Sequence, residues 1–189
     1  MMCGKYHVSM EDENVEFRSI IQQALIASPG AFQTGDIVPS LPAPVLTASG
    51  ATAMRFGLRL SGIKRLLINA RSETALEKKS FRSSLLNRRC VVPTTGFFEW
   101  QKREGGKTKY LFRLPETKML YLAGFYDTAP AHNAYVIMTT AANPFISSYH
   151  DRMPLILSPD MLSQWLADRN FALELIQKPC LAPLVASAV

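Results

Sequence analysis

Cysteine is scarce in this chain: three in 189 residues, at positions 3, 90 and 180. The number is odd, the spacing is wide and no CxxC pair occurs. That excludes a dense disulfide framework and a clustered thiolate metal site. Free thiols in a reducing cytosol are expected, with no metal and no cofactor. Long hydrophobic runs are lacking too. No stretch approaches the roughly 18 consecutive apolar residues of a spanning helix. A basic-then-apolar secretory signal is also missing, because Glu11, Asp12 and Glu13 arrive too early. A cytoplasmic protein with no membrane partner is the expectation. Repeats and low-complexity linkers are absent, so nothing divides the chain. With 48% hydrophobic residues, residues 1–189 are expected to form a single domain around one core.

Acidic charge is scarce in the middle. Net charge is +6, and residues 55–113 hold 15 of the 21 Lys and Arg but only 4 of the 15 Asp and Glu. Residues 1–54 hold 2 basic and 5 acidic side chains. A cationic middle suits a polyanion, although a solvated basic face would look the same. Phe56, Phe81, Phe97, Phe98, Trp100 and Tyr110 are interleaved with the charges. Aromatics beside cations stack unpaired bases and hold their phosphates, so single-stranded nucleic acid is the favoured partner.

Local patterns predict many short strands and a few helices. Alternation marks a strand over residues 5–10. Ser9 with Asp12 is positioned to cap a helix reaching Ala27, which Pro29 and Gly30 end. Residues 35–44, GDIVPSLPAP, read as an irregular, stiff loop. Strands are predicted at 45–48, 53–58 and 66–69, then a helix at 80–86. Residues 90–92 and 96–100 read as strands around Pro93, with a basic hairpin turn at 102–109. Further strands are predicted at 110–114, 120–126 and 134–140. Ser158 and Pro159 open a helix to Ala167. The apolar residues 181–189 are expected to pack on the body. The sum is an α+β fold: one compact domain with a curved, barrel-like sheet core and peripheral helices.

Four polar islands interrupt apolar surroundings: Cys3-Gly4; Asn69-Ala70-Arg71-Ser72-Glu73; Glu99 between Phe98 and Trp100; and His150-Asp151-Arg152-Met153-Pro154, which follows Thr139-Thr140-Ala141-Ala142-Asn143. Each has a bland reading. A lone cysteine is usually a small core residue, a strand-end asparagine is usually structural, and a lone histidine usually satisfies a core hydrogen bond. Glu99 is the least ordinary, because burying an ionised carboxylate is costly. Burial would raise its pKa toward neutrality, where proton transfer is efficient. Cys3 differs from an internal cysteine if it becomes the first residue. It would then carry a thiol and an α-amine on adjacent carbons, able to close a five-membered thiazolidine with an aldehyde.

The stretches MCGKY, MRFGL, NARSET, RRCVVPTTGFFEW, KTKYLF, LAGFY and TTAANPFISSYHDRMPLIL, in this order, resemble the SRAP family. The name stands for SOS-response-associated peptidase, and its members process abasic sites. The resemblance covers residues 2–157. It implies an α+β domain around a barrel-like core with a basic DNA groove. It also implies that Cys3 bonds covalently to the ring-opened aldehyde of an abasic site in single-stranded DNA. By position, Cys3 resembles the crosslinking nucleophile. Asn69 resembles the residue that positions the amine and sugar, Glu99 the acid/base beside the amine, and His150 the acid/base that opens the deoxyribose. Arg71 and Arg152 resemble phosphate-gripping arginines. Lys5, Pro39, Trp100 and Thr140 fall on the implied DNA-binding surface. Lys5 stands where arginine is frequent, and Phe56 where tryptophan is usual. Residues 57–69 are shortened. Met1 and Met2 must both leave, or translation must start at Met2, for Cys3 to lead the chain.

The expected function is therefore an abasic-site sensor that crosslinks through Cys3 and shields the lesion. A monomer is expected, nucleoid-associated when bound to DNA. The alternative is an autoprocessing N-terminal cysteine peptidase or amidohydrolase. A nucleic-acid-binding module without chemistry would explain the basic middle but not Cys3, Asn69, Glu99 and His150 together.

Overall fold

The structure, a computed structural model, describes residues 3–10, 15–115, 119–128 and 133–189, apart from the Arg103 side chain. Strand β1 (Tyr6–Val8), helix α1 (Val15–Ala27), β2 (Gly35–Ile37), β3 (Pro42–Thr47) and β4 (Gly50–Phe56) come first. β5 (Asn69–Arg71) and α2 (Lys79–Asn87) follow. Then come β6 (Arg89–Thr94), β7 (Gly96–Arg103), β8 (Gly106–Arg113), β9 (Leu120–Thr128) and β10 (Asn133–Ala141). β11 (Arg152–Pro154), β12 (Ile156–Leu157), α3 (Leu162–Ala167), α4 (Arg169–Leu175) and β13 (Val185–Ala188) complete the described chain.

Five strands close a ring. β4 pairs β3, β3 pairs β6, β6 pairs β9 and β9 pairs β10, all antiparallel. β10 then returns to β4 in parallel. Closure removes the open edges that a flat sheet would expose. Gly124 makes the tightest approach in this ring. A Cβ there would lie 2.6 Å from the Val136 carbonyl oxygen, so only glycine fits. The α+β class with a barrel core is thus the observed architecture.

The ring is incomplete at one end, and this gap creates a corner. β9 and β10 stay paired only as far as Gly124 and Ile137. β11 and β12 fill the space, with Thr139 opposite Pro154 and Leu122 opposite Ile156. On its other edge β10 leaves β4 at Tyr135 and takes up β5, with Ile137 opposite Asn69 and Thr139 opposite Arg71. The end of β10 is therefore flanked by the NARSET and HDRMP segments.

A second, antiparallel sheet runs in the order β13-β8-β7-β1-β2. It shares one hydrophobic core with the barrel. Phe56, fully buried, links them: its ring packs edge-on to Tyr6 of β1 at 5.6 Å and stacks on Tyr135 of β10 at 5.4 Å. Helix α1 buries Phe17, Ile20, Ile21 and Ala24, a helical stripe laid on β3 and β4.

Several local expectations shift. Residues 35–44 are not wholly irregular: β2 occupies one end and β3 starts at Pro42. β3 reaches β6 only at Leu46 and Thr47, so Pro42 and Pro44 lie where one strand edge needs no donor. The same logic lets β6 run through Pro93, beyond its contact with β3. The strand expected at 66–69 is displaced to β5, with only an isolated Leu58–Leu67 bridge before it. The basic hairpin has a shorter turn than expected, because β7 and β8 extend to Arg103 and Gly106. The tail packs as strand β13 on β8. Asp12 of the expected helix cap lies outside the described residues, as do Met1 and Met2.

Candidate functional site

Cys3 precedes β1, and its side chain is fully buried. Its φ is 39°, in the left-handed region that L residues rarely adopt. Its backbone N–H donates to Oε1 of Glu99. Glu99 stands mid-strand in β7, opposite Tyr110 of β8, and is 2% exposed. Desolvation lifts its carboxyl from 4.5 to about 7, and the Cys3 N–H bond pulls the other way. The thiol of Cys3 is pushed well above its ordinary value, mainly by burial and then by Glu99. It is therefore a neutral thiol at physiological pH, not a ready thiolate.

His150 arrives on the segment between β10 and β11. A 3-10 turn at Ile146–Ser148 shapes that segment, and Asn143 caps it by accepting the Ile146 N–H at 2.9 Å. The segment is docked on the β7–β8 hairpin. Tyr149 packs edge-on to Tyr110 at 4.8 Å and to Phe112 at 5.1 Å, and Gln101 donates to the Ser148 carbonyl at 2.6 Å. The half-buried His150 ring places Nδ1 2.7 Å from Asp151 Oδ1 and 3.2 Å from the Arg152 N–H. These contacts suit opposite states: protonated, Nδ1 donates to Asp151; bare, it accepts from Arg152. Burial lowers the imidazole pKa below 6.5, and Asp151 opposes the shift. The Asp151 charge in turn disfavours ionisation of Glu99, so the two acid/base groups share one neighbourhood.

The β10 corner holds the second cluster. Asn69 is half-buried, and its Nδ2 has no hydrogen-bond partner among the described residues. The same is true of the buried Ser72 Oγ and Arg152 Nε. Unpaired buried donors are costly and call for an explanation. Arg71 ends β5 exposed to solvent. Arg152 does not stand open: Nη1 and Nη2 donate to the two carboxylate oxygens of Glu73 at 2.5 and 2.8 Å. Nη2 also donates to the Thr139 carbonyl at 2.8 Å. Thr140 is nearly buried in β10, opposite Met153.

Lys5, Phe98 and Trp100 form a third group. The Lys5 ammonium lies 5.2 Å from the Phe98 ring centre, and the Lys109 ammonium 4.0 Å from it. Lys5 is also paired to Asp36 at 2.6 Å. Trp100, opposite Lys109, is 37% exposed. Pro39 and Ser40 form a turn closed by the Leu41 N–H on the Val38 carbonyl at 3.1 Å. Ser40 has φ 74°, where glycine or asparagine is usual. Cys3 and Ser40 are the only non-glycine residues with positive φ among the described residues. Such strain persists where the surroundings enforce it, often at functional sites.

Sequence reasoning missed four residues in these pairings. Glu73 lay inside the NARSET string, and its charge opposite to Arg71 was the only signal. Asp36, which also holds the His7 ring at 2.7 Å, had none. Tyr6 and Tyr135, whose hydroxyls meet in the core, are far apart in sequence. No group of three or more His, Cys, Asp or Glu that could hold a metal occurs among the described residues. No described helix is long and apolar enough to cross a membrane.

A family model described as SOS response associated peptidase (SRAP) matches residues 2–188. The chain belongs to the SRAP family. Among SRAP relatives, abasic site processing protein YoqW of Bacillus subtilis is 32% identical over 186 residues, covering 89% of this chain and 82% of that protein. Abasic site processing protein YoaM of the same organism is 39% identical over 118 residues. That match covers 59% of this chain and spans only 52% of YoaM. Abasic site processing protein HMCES of Gallus gallus is 35% identical over 125 residues, 52% of this chain and 37% of that protein. A crystal structure from Bordetella bronchiseptica superposes with a TM-score of 0.81 at 25% identity, covering 99% of both chains.

Proposed function

We propose that this SRAP protein acts in abasic-site processing. It recognises the lesion in single-stranded DNA and captures it through Cys3 as a thiazolidine crosslink that shields it. The observation that carries this reading is the Cys3 nitrogen seated on a carboxyl whose pKa is about 7. An α-ammonium titrates at about 7.7–8.0. Once that nitrogen is an α-amine, Glu99 can take its proton near neutrality and leave a neutral nucleophile. The amine adds to C1′ of the ring-opened sugar. Glu99, now protonated, returns its proton to the departing hydroxyl, and water leaves an iminium. The thiol sulfur then bonds to C1′ as its proton is lost, and the nitrogen ends as a secondary amine. The balance is aldehyde plus aminothiol to thiazolidine plus one water. The raised thiol pKa fits sulfur acting second, on an activated carbon, rather than first as a thiolate.

The other groups fit supporting steps. His150, held neutral by burial, removes the hydroxyl proton of the closed sugar and returns it to the ring oxygen. Asn69 aims an unpaired donor toward the sugar or amine. Arg71 and Arg152 hold phosphates, and Trp100 with the Pro39 turn and the Lys5–Phe98–Lys109 group lines the DNA path. An iminium at C1′ would also acidify the neighbouring C2′ proton, so strand cleavage by β-elimination belongs to the same chemistry.

A second reading has one observation in its favour. The nitrogen on Glu99 is, in the intact sequence, that of the Met2–Cys3 peptide bond. A carboxylic acid there can protonate the leaving nitrogen when the thiol attacks the Met2 carbonyl; water then hydrolyses the resulting thioester, releasing Met1-Met2 as a carboxylic acid and returning the free thiol. Self-cleavage would then precede DNA capture at the same site. Protein bearing an exposed Cys3 should be mixed with abasic single-stranded oligonucleotide, intact oligonucleotide and a peptide substrate. A denaturation-resistant adduct with the first alone supports the proposal. Peptide turnover without any DNA adduct would replace it with the peptidase reading.

A further inference from the structure

We propose that Glu73 is a specificity-determining gate: its carboxylate occupies the Arg152 fork that a DNA phosphate takes on binding. The inference rests on the DNA reading above and adds a residue and a selection step to it. Arg152 is 12% exposed and Glu73 is 46% exposed, so the carboxylate is the more solvent-accessible of the pair. A phosphate approaching from solvent meets Glu73 first. The two-point contact at 2.5 and 2.8 Å is the geometry a phosphate would adopt on the same donors.

Glu73 is not needed to aim the guanidinium. The Thr139 carbonyl already holds Nη2 at 2.8 Å. That carbonyl is fixed from both sides, because Thr139 pairs with Arg71 in β5 and Pro154 in β11, and it also accepts the Ser72 N–H at 2.8 Å. Arg152 therefore stays in place when Glu73 swings away. Its buried Nε has no partner among the described residues, so the pairing with Glu73 leaves a donor unused.

A tethered carboxylate competes at high effective concentration. A lone phosphate or a mononucleotide must displace it unaided. A strand whose neighbouring phosphate is already on Arg71 brings its own tether. The gate thus favours a continuous phosphodiester strand over small anions.

The test uses anisotropy of an intact, unreactive single-stranded oligonucleotide binding to the full chain. Glu73→Gln should tighten binding about threefold to tenfold. Glu77→Gln makes the same charge change in the same turn segment without touching Arg152, and should move binding less than about twofold. The gain from Glu73→Gln should vanish in an Arg152→Ala background. Inorganic phosphate should compete better against Glu73→Gln than against wild type. Weaker binding by Glu73→Gln would make Glu73 a strut and overturn the gate. So would a gain equal to that of Glu77→Gln, or one that survives Arg152→Ala. If Glu73→Gln folds poorly by its melting temperature, Glu73→Asp replaces it. Its shorter arm should give a smaller gain, and weaker binding would again overturn the gate. If wild type fails to bind the strand, or Arg71→Ala leaves its binding unchanged, the DNA reading itself fails and removes the gate with it. Binding that depends on Arg71 but is indifferent to Glu73 rejects the gate alone.

Discussion

Two glutamates in two regions of this molecule meet opposite fates. Glu99 lies in the interior of the second sheet, and its pKa is raised by lost solvent to about 7. Glu73 lies at the open corner of the barrel, and the hydrogen bond from Arg152 holds its pKa below the usual 4.5. Stability follows opposite slopes. Glu73 contributes stability above pH 4.5 that is lost as pH falls through its depressed folded value. Glu99 binds its proton more tightly folded than unfolded, so its contribution is lost as pH rises from about 4.5 to about 7. By linkage the ionised Glu99 costs about 3 kcal/mol above that range. The raised pKa suits Glu99 to proton transfer near neutrality, whereas the lowered one keeps Glu73 a carboxylate.

The sharpest way to break this contrast is Glu99→Gln. It keeps the shape and removes the titration. Crosslinking should slow by about 10²–10⁴-fold, the range of general acid/base catalysis. The melting temperature should fall less between pH 5 and pH 8 than in wild type, because the buried charge is gone. Rate and pH-dependence both unchanged would reduce Glu99 to a packing residue.

His150 should act as a base rather than an acid at neutral pH, because burial lowers its pKa below 6.5. Crosslinking from the closed sugar should therefore fall as pH drops below 6.5 through the lowered His150 pKa, while the α-amine sets a second inflection near 8. His150→Ala should remove the inflection below 6.5, leave the one that Glu99 sets near 7, and slow the reaction by about tenfold to a hundredfold. A wild-type rate flat from pH 5 to 9 would separate His150 from the chemistry.

A smaller effect separates the two arginines. Arg71→Ala should weaken DNA binding and flatten the log K against log salt slope by about 0.7, with little change in melting temperature. Arg152→Ala should do the same and also cost about 1–3 kcal/mol of stability, since it strips partners from Glu73 and Thr139. Equal melting temperatures for both would show the corner to be as loosely held as the surface.

What was legible in the sequence follows from how local each cause is. Glu99 stood out because it lies in the apolar run Phe97, Phe98 and Trp100; in β7 it shares a face with the fully buried Phe97, so its burial could be anticipated from a few letters. The β7–β8 hairpin and helix α1 were readable for the same reason. Barrel closure was visible only as a tendency toward a curved sheet. The parallel return of β10 to β4 pairs Tyr135 with Phe56, 79 positions apart, and no short pattern encodes it. Pro42 and Pro44 misled, because an unpaired strand edge tolerates proline and the sequence does not say which edges are unpaired. Arg152 was read only as a phosphate-gripping arginine, because its partner Glu73 lies 79 positions away. The same long-range pairing that builds the corner conceals it from local reading.

In the proposed reaction the Cys3 nitrogen and sulfur together capture an abasic aldehyde beside Glu99. The intact mass of the adduct with an abasic single-stranded oligonucleotide, followed by peptide mapping, tests it most directly. The expected product is denaturation-stable and equal in mass to protein with Cys3 exposed plus DNA minus one water. Its attachment should map to Cys3, and it should be absent from Cys3→Ala. An equally stable adduct in Cys3→Ala, or attachment mapped to a lysine such as Lys5, would contradict it.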